Sequence, residues 1–327
     1  MIKVLIIHPF AESYADGIVS HCNSLYQLFQ NDKEVVVMEP QNYPYRSIKL
    51  FNGVFRFRPL VRAIKNSGAD IVHVHGYTSI QSGQALIAAA LCRKKIVYSP
   101  HWHPFNELRR PLLAKLFFYT TIAPFVKLFA SHCVGINDED TAFLKKLGRP
   151  VSTFPHWIAH QPSVSSIERK TRQILFVGRF DAANKGIDYL WHLPEGRYDI
   201  HLVGRGTINP RSDMTVHTNI PSSELEKLYR SSSLVVIPSQ YEAFSLVALE
   251  ALSVSTPVVM SDKVRIADYL GNCQGATVFH YGDYDGFVKS VASNIGTTVN
   301  VQFINDTFSK AKAHQQYSNL YKSLLLK

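Results

Sequence analysis

Short apolar runs rich in valine and isoleucine alternate along this chain with stretches of helical periodicity. The runs that read as strands fall near residues 2–7, 34–39, 70–75, 95–99, 132–136 and 151–154, and then near 173–178, 199–203, 214–217, 233–237, 256–260 and 276–279. Between the first two runs, apolar side chains, Tyr26 among them, share one face of a helix predicted from about Gly17 to Gln30. This alternation predicts parallel sheets with helices on both faces.

The series of strands restarts after residues 156–171, a stretch without clear periodicity. We therefore expect two Rossmann-like, doubly wound α/β domains, residues 1–160 and 161–302, followed by a last helix within 303–327. Two such domains in series are expected to face each other across a cleft. Ligands of doubly wound sheets bind at the carboxyl ends of the strands, so this cleft is the expected site.

Composition narrows the class of protein. The chain has 327 residues, of which 46% are hydrophobic and 18% charged, enough for two packed cores. No run of 18 apolar residues predicts a membrane span, and the first residues read as a strand rather than as a secretory signal. The four cysteines have no paired spacing, which argues against disulfides and zinc and indicates a cytoplasmic protein.

The net charge of +10 is concentrated in the first half of the chain. Residues 1–160 hold 18 basic and 10 acidic side chains, whereas residues 161–327 hold 17 and 15. The first half is therefore expected to meet an anionic partner.

Aromatic and basic residues are interleaved in two stretches of the first half, residues 43–65 and 108–130. The cations selected as an acceptor or membrane patch are Arg56, Arg58, Arg62, Arg109 and Arg110. Such a pattern suits the surface of an anionic bilayer, and it also suits single-stranded nucleic acid. The third interpretation is that the apolar residues face the core and the cations face water. We adopt the interpretation of membrane docking, and no nucleic-acid partner is predicted.

Two glutamates stand eight positions apart in the second half. Glu242 follows the apolar run 234–238, and Glu250 lies within a helical apolar stretch. Eight residues of helix rise about 12 Å, close to the separation of the ribose and the sugar in a nucleotide-sugar. One carboxylate could hold hydroxyls at each end of such a donor, with the helix N-terminus facing the diphosphate between them.

A loop with two cations follows the run 173–178. Gly178 allows a tight turn, and Arg179 and Lys185 then project from the carboxyl end of a predicted strand. A planar guanidinium binds a diphosphate through forked hydrogen bonds, and an ammonium binds it through charge. The alternative is that both are solvated loop cations, but the two glutamates downstream favour a diphosphate site.

These motifs occur together in an order that resembles a known family. The segments are Val177-Gly178-Arg179, Lys185-Gly186-Ile187-Asp188, Val203-Gly204-Arg205-Gly206, Pro238-Ser239 with Glu242 and Glu250, and Thr256-Pro257-Val258-Val259. The pattern resembles the donor-binding half of the retaining glycosyltransferases of family 4, which have the GT-B fold. The resemblance covers residues 165–270 well and reaches the first half through short motifs that include Gly17 and His101.

The resemblance implies a role for each matching residue. Arg179 and Lys185 would bind the donor diphosphate, Glu242 the sugar hydroxyls, and Glu250 the ribose. The backbone amides of Phe244, Ser245, Leu246 and Val247, together with Gly178, would line the phosphate and the sugar. Gly17 would approach the phosphates or the acceptor, and His101 would contact the sugar at the reacting centre. The last helix would pack back on the first domain.

The chain departs from the family pattern at several positions. The family usually has glycine at the positions of Asp16, Ala243, Ser245 and Ser255, and often asparagine at the position of His156. Each replaced glycine adds a side chain where backbone commonly approaches a ligand. The diphosphate assignment stands, but the identity of the sugar is left open.

His101 and His103, two residues apart, could be metal ligands. No acidic residue lies nearer than Glu107, and GT-B enzymes use cationic side chains in place of a metal, so no metal and no other cofactor is predicted. His73 and His75 share a face of one strand and read as polar supports of a loop.

The sequence therefore predicts a retaining, metal-independent glycosyltransferase. Its donor would be a UDP- or GDP-sugar, and its acceptor a glycan, lipid-linked, of a bacterial surface polysaccharide. The protein would associate peripherally with the inner face of the cytoplasmic membrane. Two alternatives stay open: another GT-B nucleotide-sugar enzyme, such as an epimerase or a hydrolase, and a basic membrane- or nucleic-acid-binding protein without catalysis.

Overall fold

The chain forms two compact units. The computed structural model describes residues 1–9, 17–39, 45–48, 51–77, 79–101, 111–158 and 167–326. Met1–Ala159 and Lys310–Lys327 form the first unit, and His160–Ser309 forms the second. The division lies beside the boundary expected at residue 160, whereas the return to the first unit begins at Lys310 rather than at 303.

The first unit is built on a six-stranded parallel sheet. Its strands are β1 (Ile2–Ile7), β2 (Val35–Met38), β5 (Ile71–His75), β6 (Lys95–Ser99), β7 (His132–Gly135) and β8 (Val151–Thr153), and their order is β2-β1-β5-β6-β7-β8. The helices around it are α1 (Gly17–Leu28), α2 (Phe57–Asn66), α3 (Ile80–Leu91), α4 (Pro111–Phe117), α5 (Ala123–Phe129), α6 (Asp138–Lys145) and α12 (Lys310–Leu325). A wide helical turn, Phe118–Ile122, joins α4 to α5. The apolar runs read as strands thus form a parallel sheet, as predicted.

The second unit repeats this architecture. Its strands are β9 (Lys170–Val177), β10 (Asp199–Val203), β11 (Met214–His217), β12 (Ser232–Ile237), β13 (Val258–Ser261) and β14 (Ala276–Phe279), in the order β11-β10-β9-β12-β13-β14. Its helices are α7 (Ser222–Ser231), α8 (Leu246–Ser253), α9 (Ala267–Leu270), α10 (Tyr284–Asn294) and α11 (Val301–Thr307), with short 3₁₀ turns at Ala183–Lys185 and Ile187–His192.

The strand order of each sheet reverses at one point. In the first unit the reversal lies between β1 and β5, and in the second it lies between β9 and β12. At such a point the loops that follow the two strands run to opposite faces of the sheet and leave a crevice at its carboxyl edge. Each sheet therefore offers one place where a ligand is expected.

Two local expectations from the sequence are wrong, and one further feature was not predicted. The helix predicted within 303–327 is interrupted at Phe308, and α11 packs on α8 within the second unit. Of the apolar residues expected on one face of α1, Cys22 and Leu25 are buried, but Tyr26 is 43% exposed, since the buried face runs through Val19 and not through Tyr26. Part of the first basic stretch forms an antiparallel pair, β3 (Tyr45–Ile48) with β4 (Phe51–Phe55), which the periodicity did not indicate.

The last helix, α12, completes the core of the first unit. Ala313, Tyr317, Tyr321 and Leu324 follow helical spacing, and all four are buried. They pack with apolar residues of β1 and with Cys22 of α1 in one hydrophobic cluster. Burial of two whole tyrosine rings makes this helix an integral part of the first unit.

Ser255, the second residue after α8, adopts a conformation that favours glycine. Ser255 has a φ of 68°. The amide of Ser255 donates to the carbonyl of Leu252, and the amide of Thr256 donates to the carbonyl of Ala251. These two bonds form a Schellman motif, in which the residue at this position is most often glycine. The departure from the family's glycine at Ser255 therefore carries a steric cost.

We expect Ser255→Gly to raise the free energy of unfolding by about 1 kcal/mol, because it removes the side-chain clash of the left-handed conformation. Urea titration followed by circular dichroism measures the change. Ser253→Gly, within α8, is the matched control, and it should lower the free energy of unfolding by a few tenths to about 1 kcal/mol. A loss of stability in Ser255→Gly would contradict the strain.

Candidate active site

Two loops meet at the carboxyl edge of the second sheet, where the strand order reverses. The first follows β9 and runs from Gly178 to Gly186, and the second follows β12 and leads to α8. The amide of Gln240 donates to the carbonyl of Asn184 at 2.8 Å. Gly186 has a φ of +65°, and a Cβ there would lie 1.9 Å from the carbonyl oxygen of Pro238. Only glycine allows the two loops to approach this closely.

An ion pair joins the two loops. The Lys185 Nζ donates to Glu242 Oε1 at 3.0 Å, and the Ser239 hydroxyl donates to the same oxygen at 2.7 Å. The side chains are 27% and 13% exposed, so water screens the pair only in part. Burial by itself raises the pKa of Glu242, but the charge of Lys185 and hydrogen bonds from Ser239, Lys185 and Ser245 outweigh it and lower the pKa below its ordinary value.

The backbone of Glu242 is fixed from its other side. Its amide donates to the carbonyl of Lys263 at 3.1 Å, and its carbonyl accepts from the amide of Arg265 at 3.0 Å. Two residues further on, the carbonyl of Phe244 accepts from the amide of Ile266. The loop after β12 is thus paired to the segment after β13, which positions the Glu242 carboxylate without a helix or strand of its own.

Helix α8 starts at Leu246, directly after Ser245. Ser245 has a φ of 99°, and its hydroxyl accepts from the amide of Ala248 at 3.3 Å as a helix cap. Phe244 is buried, and its ring meets Phe308 edge-on at 5.6 Å, which anchors the start of the helix. Leu246 and Val247 are half-buried. A strained backbone held by packing is common where a loop meets a ligand.

Glu250 lies one turn into α8. Tyr229 donates its hydroxyl to Glu250 Oε2 at 2.9 Å. The Glu250 side chain is exposed, yet desolvation by the surrounding protein raises its pKa, against the smaller opposite effect of the Tyr229 hydrogen bond. Because the helix begins only at Leu246, Glu242 is outside it, and the helical rise estimated from the sequence does not describe the separation of the two glutamates.

Arg179 projects from the loop after β9. Its side chain is exposed, and no ion pair holds it within the described part of the second unit. Gly178 precedes it, and a Cβ there would lie 3.3 Å from the ring of Phe176. Lys185 is paired with Glu242, so Arg179 is the exposed cation of this loop that makes no ion pair among the described residues.

Two other predicted site residues belong to the first unit. Gly17 begins α1, and a Cβ there would meet no described atom within 4 Å, so packing does not require a glycine. His101 follows β6, is 9% exposed and has a φ of 59°. Its Nε2 lies 2.7 Å from Nδ1 of His75 in an imidazole–imidazole hydrogen bond.

The basic patch is described only in part. Arg56, Arg58 and Arg62 are exposed on and before α2, whose Leu60 and Ile64 face the core. Arg109 and Arg110, like His103, lie outside the described residues. In the second stretch the structure exposes apolar side chains: Leu112, Leu113, Leu116 and Leu128 are each more than half exposed. No helix of the described chain is both long and apolar enough to cross a membrane.

Sequence reasoning missed several supports of this site. Tyr229 lies on α7 and carries no motif, and its contact with Glu250 depends on how α7 packs against α8. Ser239 belongs to one of the family motifs, but the motif did not predict its hydrogen bond to Glu242. The spacing of three residues between Ser239 and Glu242 is the one feature of the sequence that indicates this hydrogen bond.

Residues 171–295 match the sequence model of the family described as glycosyl transferases group 1. A protein of Klebsiella pneumoniae described as an uncharacterized 41.2 kDa protein in the cps region is 22% identical over 97% of this chain and 99% of its own length. An uncharacterized glycosyltransferase of Methanocaldococcus jannaschii is 36% identical over 29% of this chain and 28% of its own length.

Solved glycosyltransferase structures share the fold over nearly the whole chain. Sucrose-phosphate synthase from Thermosynechococcus elongatus has a TM-score of 0.75 at 17% identity, with 99% of both chains covered. Anabaena HepE, in complex with UDP and glucose, has a TM-score of 0.70 at 13% identity, with 99% of this chain and 100% of HepE covered. The lipopolysaccharide outer core galactosyltransferase WaaB has a TM-score of 0.67 at 16% identity, with 98% and 99% covered.

The family match covers the candidate site residues of the second unit and most of that unit. The resemblance to glycosyltransferases is therefore confirmed, and so is the predicted α/β, GT-B fold class. The matches support a glycosyltransferase of the GT-B type.

We expect Lys185→Ala to lower the free energy of unfolding by roughly 2 kcal/mol at pH 7, because it leaves the Glu242 carboxylate half-buried without its cation. The folded-state pKa of Glu242 lies below its unfolded value of about 4.3, so the pair stabilises the fold above that pH. The stability is lost as the pH falls through the folded pKa. The difference between wild type and variant should therefore be largest above about pH 5 and shrink below pH 4.

Urea titrations between pH 3.5 and 8 measure this dependence. Lys263→Ala is the matched control, because Lys263 also lies 3.0 Å from a carboxylate, that of Asp262, but in a more exposed pair. It should change the free energy of unfolding by about 0.5 kcal/mol or less. Equal effects of the two substitutions at neutral pH would show that the Lys185–Glu242 pair contributes no special stability.

Proposed function

We propose that the protein is a retaining glycosyltransferase of family 4 that moves a sugar from a UDP- or GDP-sugar to an acceptor glycan. The observation that carries the proposal is the Lys185–Glu242 pair at the reversal of the second sheet, with Arg179 six residues before Lys185 in the same loop and Glu250 in the following helix. Two cations, two carboxylates and a helix N-terminus at one crevice match the charges and hydroxyls of a nucleotide-sugar.

Each part of the donor has a partner in this proposal. The diphosphate binds Arg179, Lys185 and the backbone amides from Phe244 to Val247. The sugar hydroxyls donate to Glu242, whose low pKa keeps it ionised as an acceptor. The ribose hydroxyls donate to Glu250, and the Tyr229 hydroxyl already orients that carboxylate. Gly17 and His101 of the first unit serve the acceptor and the reacting centre.

The proposed reaction breaks the bond between the anomeric carbon and the diphosphate oxygen. Arg179 and Lys185 stabilise the negative charge that develops on the leaving diphosphate, as preorganised cations do in a site of low dielectric. The acceptor hydroxyl attacks from the same face, and its proton passes to a departing phosphate oxygen. The configuration at the anomeric carbon is retained, and the protein's cations take the place of a metal at the diphosphate.

The nature of the relatives supports a surface glycan as the acceptor. The Klebsiella protein is encoded in a cps region, WaaB is a lipopolysaccharide galactosyltransferase, and HepE holds UDP and glucose. A growing lipid-linked glycan of a bacterial surface polysaccharide is therefore the acceptor that we propose.

Calorimetry with UDP and GDP tests the donor site, and product analysis with a nucleotide-sugar tests the reaction. We expect Arg179→Ala and Lys185→Ala each to lower the transfer rate by about 10²–10³-fold, on the scale of losing one transition-state donor. Glu250→Gln should weaken nucleotide binding by about tenfold, because it replaces a charged acceptor by a neutral one.

Arg197→Ala and Lys289→Ala are matched controls, since both side chains are exposed cations of the second unit. They should leave transfer unchanged. Wild-type turnover in Arg179→Ala and Lys185→Ala would refute the diphosphate assignment. Release of free sugar or of an epimer in place of a new glycosidic bond would move the protein to one of the other nucleotide-sugar enzymes.

Exposed side chains of the first unit support a lipid-linked acceptor. The exposed leucines of α4 and α5 lie close to Lys115 and Lys127 in sequence, and Arg56, just before α2, and Arg58 and Arg62 on α2 are exposed to solvent. Leucines that face water and cations that can reach phosphate groups suit the surface of an anionic bilayer. We propose that these exposed leucines and cations dock the protein peripherally on the inner side of the cytoplasmic membrane.

We expect the triple substitution of Arg56, Arg58 and Arg62 by Ser to weaken binding to phosphatidylglycerol vesicles by about 1 kcal/mol per charge. Co-sedimentation at low salt measures the partition. The control is the triple substitution of Arg197, Lys227 and Lys289, exposed cations of the second unit, which removes the same charge. Equal losses in both triple variants would mean that net charge alone drives the association.

A further inference from the structure

Six histidines are buried together in the first unit. They are His8, His21, His73, His75, His101 and His156, none more than 9% exposed. They come from different elements: the end of β1, α1, β5, the segment after β6 and the segment after β8. The cluster therefore lies at the carboxyl edge of the first sheet, where its strand order reverses and a ligand is expected.

Many of the contacts in this cluster join one imidazole to another. His75 Nδ1 lies 2.7 Å from His101 Nε2, and His21 Nδ1 lies 2.9 Å from His156 Nδ1. The ring of His21 lies 4.5 Å from that of His101 and 5.7 Å from that of His75. Each such hydrogen bond requires one ring nitrogen to accept while the other donates, so at least one ring of each pair must be neutral.

Burial keeps these imidazoles in the form that binds a metal. Desolvation, followed by the charges of neighbouring histidines, lowers the pKa values of His21, His75 and His101 well below the ordinary range. Desolvation likewise lowers the pKa of His156 to about 4. Neutral imidazole is the ligand form, and imidazole nitrogen suits zinc, copper, nickel and iron.

Three of the rings also have the right spacing. Ligand nitrogens of His21, His75 and His101 all lie within 4.8 Å of one another. With a zinc–nitrogen bond of about 2.0–2.1 Å, two ligand nitrogens of a tetrahedral site stand roughly 3.3 Å apart. The present spacing is at most about 1.5 Å wider than that separation.

Two further observations point to a ligand. Nε2 of His75 is buried and has no hydrogen-bond partner in the part of the chain that the structure describes. Such an orphaned polar atom is rare in a native fold unless something binds it. His101 keeps a left-handed backbone, φ 59°, which is strained for a residue with a side chain and is found where a site holds it.

We propose that His21, His75 and His101 form a binding site for a divalent transition metal, with zinc as the best fit. Three imidazoles leave a fourth position for water or for an oxygen of a bound anion. The metal would join α1 to the ends of β5 and β6 and would fix the ring of His101. This site is separate in composition from the pair His101 and His103 considered from the sequence, because its other two ligands come from distant positions in the chain.

The test measures metal uptake by the full chain without an affinity tag. Protein stripped with a chelator and dialysed is titrated with zinc chloride by calorimetry, and the bound zinc is counted by mass spectrometry. We expect one equivalent per chain and a higher thermal midpoint. Cobalt chloride in place of zinc should give the visible absorption of a tetrahedral site. The absence of stoichiometric uptake by the wild type would overturn the proposal, and this outcome does not depend on any variant.

Variants locate the metal. His21→Asn and His75→Asn should each weaken binding by at least about 100-fold, since even the loss of an outer-shell partner costs 10–100-fold. The matched control is His217→Asn in the second unit, where His201 Nδ1 lies 2.9 Å from His217 Nε2 in a similar stacked pair. It should bind zinc as the wild type does. Unchanged uptake in His21→Asn and His75→Asn, or loss in His217→Asn, would contradict the assignment.

Discussion

The ion pair between Lys185 and Glu242 is the contact on which the second unit's site depends. It ties the loop after β9 to the loop after β12, and the close approach at Gly186 leaves these loops little freedom to separate. Each charge of the partly buried pair offsets the desolvation cost of the other, so the loss of either partner would leave a costly unpaired charge. In the proposed reaction each partner turns to a different part of the donor, the ammonium to phosphate and the carboxylate to hydroxyls. The same contact thus organises the free protein and supplies two separate groups for binding.

Topology explains why chemistry collects where it does. Each sheet has one reversal of strand order, and only there do loops leave the carboxyl edge toward opposite faces. In the second unit that position holds the cations and carboxylates, and in the first it holds the buried histidines. Neither set is contiguous in sequence, because neighbouring strands at a reversal are separated by several elements. The fold, more than any local motif, brings these side chains together.

Much of this arrangement could be predicted from the sequence, for identifiable reasons. Parallel strands buried on both faces leave continuous apolar runs, so the two sheets were visible as a pattern. The motif around Gly178 and Glu242 was recognisable because close backbone approach and charge restrict the residues allowed there. The break at Phe308 was not visible, since Phe308 continues the apolar periodicity but packs on Phe244 instead. The β3–β4 pair was not predicted either, because the basic residues around it obscure the pattern of a strand pair.

The histidine cluster shows the limit of such reasoning. His73 and His75 were correctly placed on one face of a strand, and their rings lie 4.1 Å apart. Their association with His21 and His101 depends on how α1 and the segment after β6 return to the sheet edge. No spacing in the sequence encodes that return. Contacts between side chains on distant elements become predictable only once the order of the strands is known.

The position of α12 has a consequence for how the chain reaches its native state. The first unit needs Tyr317 and Tyr321 to close the hydrophobic cluster around β1, but these residues are synthesised after the whole of the second unit. During translation the first 159 residues therefore expose an apolar surface that α12 has yet to cover. The continuous segment 160–309 can fold independently in the meantime. The unit that begins emerging first from the ribosome is the one that matures last. A chaperone that binds exposed apolar surface would bind the incomplete first unit during that interval.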